Sequence, residues 1–148
     1  MLIETLIKLF KRDLSKLVVE IESYKSEKNL WLVQKEVSNS AGNLCLHLVG
    51  NLNAFIGAEF GNTGYIRQRE LEFSLKDVPR TELIRQIKEV NTIVESALKG
   101  LTIDDLKKEY SRRVFEDTMT TGFFLVHLTT HLAYHLGQIN YHRRLIDE

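Results

Sequence analysis

The sequence predicts an all-α protein, a four-helix bundle with one long crossover connection, formed by a single domain over residues 1–148. One proline and eight glycines in 148 residues leave few of the breaks that a strand-rich fold needs. Apolar residues recur at helical spacing along four long stretches, and amphipathic helices of this kind bury their apolar faces most economically against one another.

The first two helices are predicted from apolar spacing and from their ends. The first covers about residues 3–24, with apolar residues on one face and charged residues on the other. The second covers about residues 41–60, with Asn39 or Ser40 as its N-cap, and the glycines of FGNTG end it.

A long connection separates the second predicted helix from the third. Pro79 and Thr81 lead into a third helix over about residues 82–99, which Gly100 ends. The preceding connection, about 20 residues long, exceeds a tight antiparallel turn and favours a crossover. A capping-box-like pair, Thr102 with Asp105, indicates a short helical turn before the fourth helix, which starts near residues 118–121 and runs to about residue 145.

Composition restricts the class of protein. Lysine plus arginine and aspartate plus glutamate each number 20, so no net charge attracts nucleic acid or an anionic membrane, and neither partner is expected. The single cysteine, Cys45, cannot form an internal disulfide, and no apolar run reaches the roughly 18 residues of a membrane span. A soluble cytoplasmic protein is expected.

Four of the five histidines lie in the fourth helix: His127, His131, His135 and His142. At about 100° per residue they share one face beside the apolar arc. Side chains four residues apart lie about 5–6 Å from each other at Cβ, so either consecutive pair among the first three can reach one metal ion. Structural hydrogen bonding, solubility or a pH-sensitive contact is the alternative interpretation.

The fifth histidine, His47, lies on the second helix in a strip of small and amide side chains. Such a strip indicates either close helix packing or a polar cleft, and in a cleft Asn43 and Asn51 are expected to orient the imidazole of His47. If the second and fourth helices are neighbours, three imidazoles leave coordination positions open, as in a catalytic metal site. Zinc or nickel suits such ligands, and the lack of a His-Glu-x-x-His motif excludes a zincin-type protease.

Two segments carry a family resemblance. NLCLHLVGNLNAFI in the second helix and HLTTHLAYHLGQINYHRR in the fourth resemble the DinB/YfiT-like superfamily of small metal-binding four-helix-bundle proteins, in particular a branch of uncharacterised domains. The resemblance implies that His47, His131 and His135 are the metal ligands. It also implies up-down-down-up helices, a homodimer, and a divalent metal that activates a low-molecular-weight thiol.

The resulting functional hypothesis is a metal-dependent enzyme that activates a thiol or water nucleophile, as an S-transferase or a hydrolase does, and acts on a small-molecule substrate. Residues expected to contact the ligands or the substrate are Asn43, Asn51, His127 and Gln138. A non-catalytic dimeric helical bundle and a metal-binding stress-response module are the alternatives. Arg67, Arg69 and Glu70 in the connection are expected to be solvated loop charges, the commoner case, although arginines there could also clamp an anion.

Overall fold

The computed structural model describes residues 1–148 and contains no strand, only two isolated bridges, so the prediction of an all-α protein is confirmed. None of the helices combines the length and the apolar character needed to cross a membrane. The six α-helices are α1 (Leu2–Ser23), α2 (Ala41–Leu52), α3 (Arg69–Ser74), α4 (Arg80–Lys99), α5 (Ile103–Lys107) and α6 (Thr121–Ile146). A 3-10 helix covers Glu27–Trp31, and a π-helical segment covers Asn53–Ala58.

The four long helices begin and end close to their predicted limits because their end signals are present. Ser40 is the N-cap of α2, and its side chain accepts a hydrogen bond from the backbone N–H of Asn43. Thr120 caps α6 in the same way, through the N–H of Phe123. The capping box of Thr102 and Asp105 is also formed.

Two short elements lie where the sequence analysis identifies no helix. The 3-10 helix follows α1, and α3 lies within the long connection before α4. Both are too short for an apolar periodicity to indicate them. The second helix also changes character, because the π-helical segment directly follows α2 and shifts the register of its side chains.

Contacts at the helix ends give the relative directions of α1, α4 and α6. Arg80, at the start of α4, donates to the backbone carbonyl of Tyr24, just beyond the end of α1, at 2.8 Å. Glu20 near the end of α1 binds Arg143 near the end of α6 at 2.8 Å. The helix α1 therefore runs antiparallel to α4 and parallel to α6.

The helices α2 and α6 pack against each other and run in opposite directions. The ring of Phe55, beyond the end of α2, lies 5.1 Å from that of Phe124 near the start of α6, measured between centroids. His47 in the middle of α2 faces His131 in the middle of α6. The core between the long helices is mostly apolar, and several of its buried polar side chains, among them Asn43, His47 and Asn51, lie on α2.

His142 lies in the core and not with the other histidines of α6. Its Nδ1 lies 2.6 Å from the hydroxyl of Tyr24, and its Nε2 lies 2.9 Å from the carbonyl oxygen of Leu32. The carbonyl can only accept, so Nε2 donates to it and Nδ1 accepts from the tyrosine. Although helical periodicity places His142 on the common histidine face, it lies about two turns beyond His135 and has a structural role.

Candidate metal centre

Three histidines converge where α2 meets α6. The ligand nitrogens of His47, His131 and His135 all lie within 4.8 Å of one another, which allows this group to hold a metal ion. Their ring centroids are 4.6–5.3 Å apart, and the rings are nearly perpendicular or steeply inclined. His47 is buried, whereas the other two imidazoles are half-buried.

The separation of two ring nitrogens fits one shared cation. Nε2 of His47 and Nε2 of His131 lie 3.2 Å apart. Two nitrogens bound at about 2.0–2.1 Å to a tetrahedral zinc ion would lie about 3.3 Å from each other. Because two imidazole lone pairs repel at this distance, a proton or a cation must lie between them.

The imidazole of His47 is oriented by a buried carboxylate that the sequence analysis missed. Nδ1 of His47 lies 3.0 Å from Oε1 of Glu72, a residue of α3. Burial raises the pKa of Glu72, but hydrogen bonds from His47 and Arg67 outweigh that effect, so its pKa lies below the ordinary value. The ionised carboxylate can only accept, so Nδ1 of His47 carries the proton and Nε2 presents its lone pair.

Arg67 holds the carboxylate of Glu72 in place. Its Nε and one terminal nitrogen donate to the two carboxylate oxygens, each at 2.9 Å. The guanidinium also lies over the ring of Phe55, 5.5 Å from the centroid. The expectation that Arg67 is a solvated loop charge is therefore wrong, because this planar two-point contact and the aromatic ring remove it from solvent.

A glycine on α2 makes room for this carboxylate. A Cβ atom at Gly50 would lie 1.9 Å from Oε2 of Glu72, a distance that no real contact allows. The side-chain amide of Asn43 secures α3 from the same helix, because it donates to the backbone carbonyls of Glu72 and Leu75 at 2.9 and 2.8 Å. The surface of α2 thus receives both the carboxylate and the helix that carries it.

The other two imidazoles have different surroundings. Nδ1 of His135 lies 2.7 Å from Oε1 of Gln138, one turn further along α6, and donates to it, so Nε2 is left free for a metal. Nδ1 of His131 is buried and has no hydrogen-bond partner, and the same is true of Oδ1 of Asn51.

The expected roles of Asn43 and Asn51 need correction. Neither amide hydrogen-bonds to His47, whose second nitrogen is taken by Glu72. The amide of Asn43 donates instead to two backbone carbonyls of the connection, and Oδ1 of Asn51 has no partner. The partner of His47 is instead a carboxylate in the connection between α2 and α4. Its position depends on how that connection folds over α2.

His127 lies beside the centre without joining it. Its ring centroid is 6.5 Å from that of His131, and it packs against the rings of Phe115 and Phe124 at 5.0 and 5.9 Å. No hydrogen bond to its ring nitrogens is formed within the protein.

Burial keeps the half-buried imidazoles neutral. It lowers the pKa of His131 to about 3, with further contributions from the neighbouring His135 and His47. Burial also lowers the pKa of His135, although its hydrogen bond with Gln138 opposes the shift. Neutral imidazole is the form that binds a metal, so protons compete weakly at these positions.

The family comparison covers almost the entire chain. The profile of a family described as "Protein of unknown function (DUF1572)" matches residues 3–148. No curated protein matches the sequence.

Replacement of Gly50 by alanine should weaken metal binding. The new methyl group must displace the carboxylate of Glu72, and loss of such a ligand-orienting partner typically costs about 10–100-fold in affinity. The measurement is a Zn²⁺ titration against a competing chelator, with helix content followed by circular dichroism.

Gly137 provides the matched control for this exchange. It also lies within a long helix, but a Cβ atom there meets nothing within 4 Å. Gly137→Ala should keep the wild-type affinity for Zn²⁺, and both variants should keep their helix content. Wild-type affinity in Gly50→Ala would show that the position of Glu72 does not matter to the centre.

The stability of the metal-free protein should depend on pH through His131. The folded pKa of about 3 lies below the ordinary value of 6.5, so the unfolded chain binds the proton first as the pH falls. The free energy of unfolding should therefore decrease from pH 6.5 toward pH 3, and less steeply in His131→Gln. Urea unfolding of both chelator-treated proteins across this range measures the difference, and identical pH profiles would contradict it.

Proposed function

The chain belongs to the family described as "Protein of unknown function (DUF1572)", and we propose that it is a metal-dependent enzyme of the DinB/YfiT-like type. In this proposal one divalent ion is held by His47, His131 and His135. The observation that carries it is the 3.2 Å approach of two Nε2 atoms whose rings belong to different helices. His142 differs, because both of its ring nitrogens meet ordinary hydrogen-bond partners, the hydroxyl of Tyr24 and the carbonyl oxygen of Leu32.

The ligand set determines the kind of chemistry. Three imidazoles suit zinc or nickel, and they leave at least one coordination position for a further group. An ion held there would act as a Lewis acid and lower the pKa of a thiol or water nucleophile. The half-buried side of the centre, formed by His131 and His135, is where a substrate can approach.

Neighbouring residues orient the ligand rings and accept a proton in this proposal. Glu72 and Gln138 orient two of the ligand rings and fix their protons on Nδ1. His127, with its free ring nitrogens one turn from His131, is the residue we assign to accept the proton of the nucleophile. The aromatic rings of Phe115 and Phe124 hold it in this position.

A thiol is the nucleophile that this arrangement favours over water. The one carboxylate at the centre, Glu72, is fully engaged by Arg67 and His47 and cannot serve as a general base. A thiol has a pKa of about 8.5, so it needs less help to lose its proton than water does. Low-molecular-weight thiols are abundant in a reducing cytoplasm, the compartment that a lone buried cysteine favours.

The helix directions support the up-down-down-up four-helix bundle that the DinB-like assignment requires. The helix α1 runs parallel to α6, and both run antiparallel to their other long neighbours, α4 and α2 respectively. The connection between α2 and α4, which contains α3, is the crossover. A crystal structure of the metal-loaded protein tests both the bundle and the ligand set.

We also propose that two copies of the chain associate through the first half of α6. Phe123, Val126 and Tyr134 are 62%, 42% and 66% exposed and lie on one outward-facing strip, with Thr130 between them. This strip contains no ionised side chain, and in a two-fold dimer the same strip serves both subunits.

Metal analysis of untagged protein should find about one divalent ion per chain, and the His47→Ala/His131→Ala double variant should have lost it. A full complement of ion in the double variant, or none in the wild type, would refute the proposed centre. Elemental analysis after gel filtration provides the measurement.

The preference for a thiol is tested separately on protein loaded with Co²⁺. Cysteine or 2-mercaptoethanol should produce a sulfur-to-cobalt charge-transfer band, which the double variant should lack. Absence of the band while the visible cobalt spectrum remains intact would argue against a thiol and in favour of water, or of binding without turnover.

Val126→Glu should convert the dimer to a monomer, because a charge would be buried where the two strips meet. Val19→Glu is the matched control, since Val19 is 57% exposed on α1. Sedimentation equilibrium measures the mass of each protein. A monomeric wild type, or dimers in both variants, would rule out this surface.

A further inference from the structure

We propose that a cavity beside the three-histidine centre binds the apolar part of a small molecule whose polar end reaches the metal. This inference rests on the function proposed above. The cavity measures about 630 Å³ and lies between the end of α6 and the segment that leads into α2. Side chains that carry the argument are Val37, Leu44, Gln138, Tyr141, Leu145 and Ile146.

Size and lining fit a small organic ligand. Cavities that bind such ligands commonly measure about 300–1,000 Å³ and are mostly apolar with a few polar groups. Val37, Tyr141 and Leu145 are 53%, 64% and 74% exposed, although each borders this concave space. An apolar group in the cavity would cover the apolar surface that these side chains present to it.

Gln138 connects the cavity to the metal centre. Its Oε1 accepts a hydrogen bond from Nδ1 of His135, and the same side chain lines the cavity. On the facing helix, Leu44 lines the cavity one turn before His47. Residues three apart on a helix lie about 5–6 Å from each other at Cβ, so the cavity begins about one turn from two of the ligands.

The lining of the cavity has no net charge that would attract an anion. Lys35 and Glu36 are the only ionised side chains of the lining, and their charges cancel. His142 also lines the cavity, but both of its ring nitrogens are engaged by Tyr24 and Leu32. The cavity therefore suits a hydrocarbon or aromatic group better than a phosphate or a carboxylate.

A series of n-alkyl hydroxamates, from acetohydroxamate to octanohydroxamate, tests the proposal on Zn²⁺-loaded protein. The metal-binding head is constant, and only the length of the tail changes. Affinity measured by calorimetry should rise roughly fourfold for each added methylene until the cavity is filled.

Leu145→Asp should flatten this dependence, because it places a charge at the cavity wall on an exposed position that folding tolerates. The matched control is Ile103→Asp, a similar change at a residue of α5 that is 63% exposed and lies outside the lining. It should keep the wild-type dependence.

Different failures separate this inference from the proposed function. If all hydroxamates bind the wild type with the affinity of acetohydroxamate, the cavity does not bind the alkyl tail. This result would leave the proposed metal centre unaffected. A chain-length dependence that is unchanged in Leu145→Asp places the tail elsewhere and also overturns the inference. If the purified chain retains no Zn²⁺, the proposed function itself fails.

Discussion

The hydrogen bond from His47 to the buried carboxylate of Glu72 is the interaction on which the geometry of the centre depends. It fixes the proton of the imidazole on Nδ1, and so it directs the lone pair of Nε2 toward α6. A buried carboxylate is costly unless its charge is matched, and Arg67 supplies the matching charge through two further hydrogen bonds. The three groups form one unit, whose place on α2 is available only because residue 50 has no side chain.

Much of the architecture could be predicted from local pattern. The long helices are marked by apolar spacing and by capping residues, such as Ser40 and Thr120, whose effect reaches only a few positions along the chain. Consecutive histidines of α6 could be paired for the same reason, since a spacing of four residues fixes their distance within one helix, but this spacing did not choose between His127 with His131 and His131 with His135. The addition of His47 came from a family resemblance, because spacing alone says nothing about which helices become neighbours.

What escaped prediction depends on contacts between distant segments. Glu72 looks like any charged residue of a connection, and only the fold of α3 against α2 buries it. His142 shares its helical face with the other histidines, yet Tyr24 and Leu32 surround it at the far end of α6. Beyond residue 52 a helical wheel also loses its register, since the π-helical turns advance each side chain by a smaller angle than an α-helix does.

The end of α6 is fastened to the beginning of the 3-10 helix. Asp147 accepts hydrogen bonds from the backbone N–H groups of Lys25 and Ser26 and from the side chain of Asn29. The final turn that is fastened in this way contributes Leu145 and Ile146 to the wall of the cavity. A segment attached after Glu148 would therefore begin beside the wall of that cavity, whereas one attached ahead of Met1 would begin at the other end of α1, which runs parallel to α6.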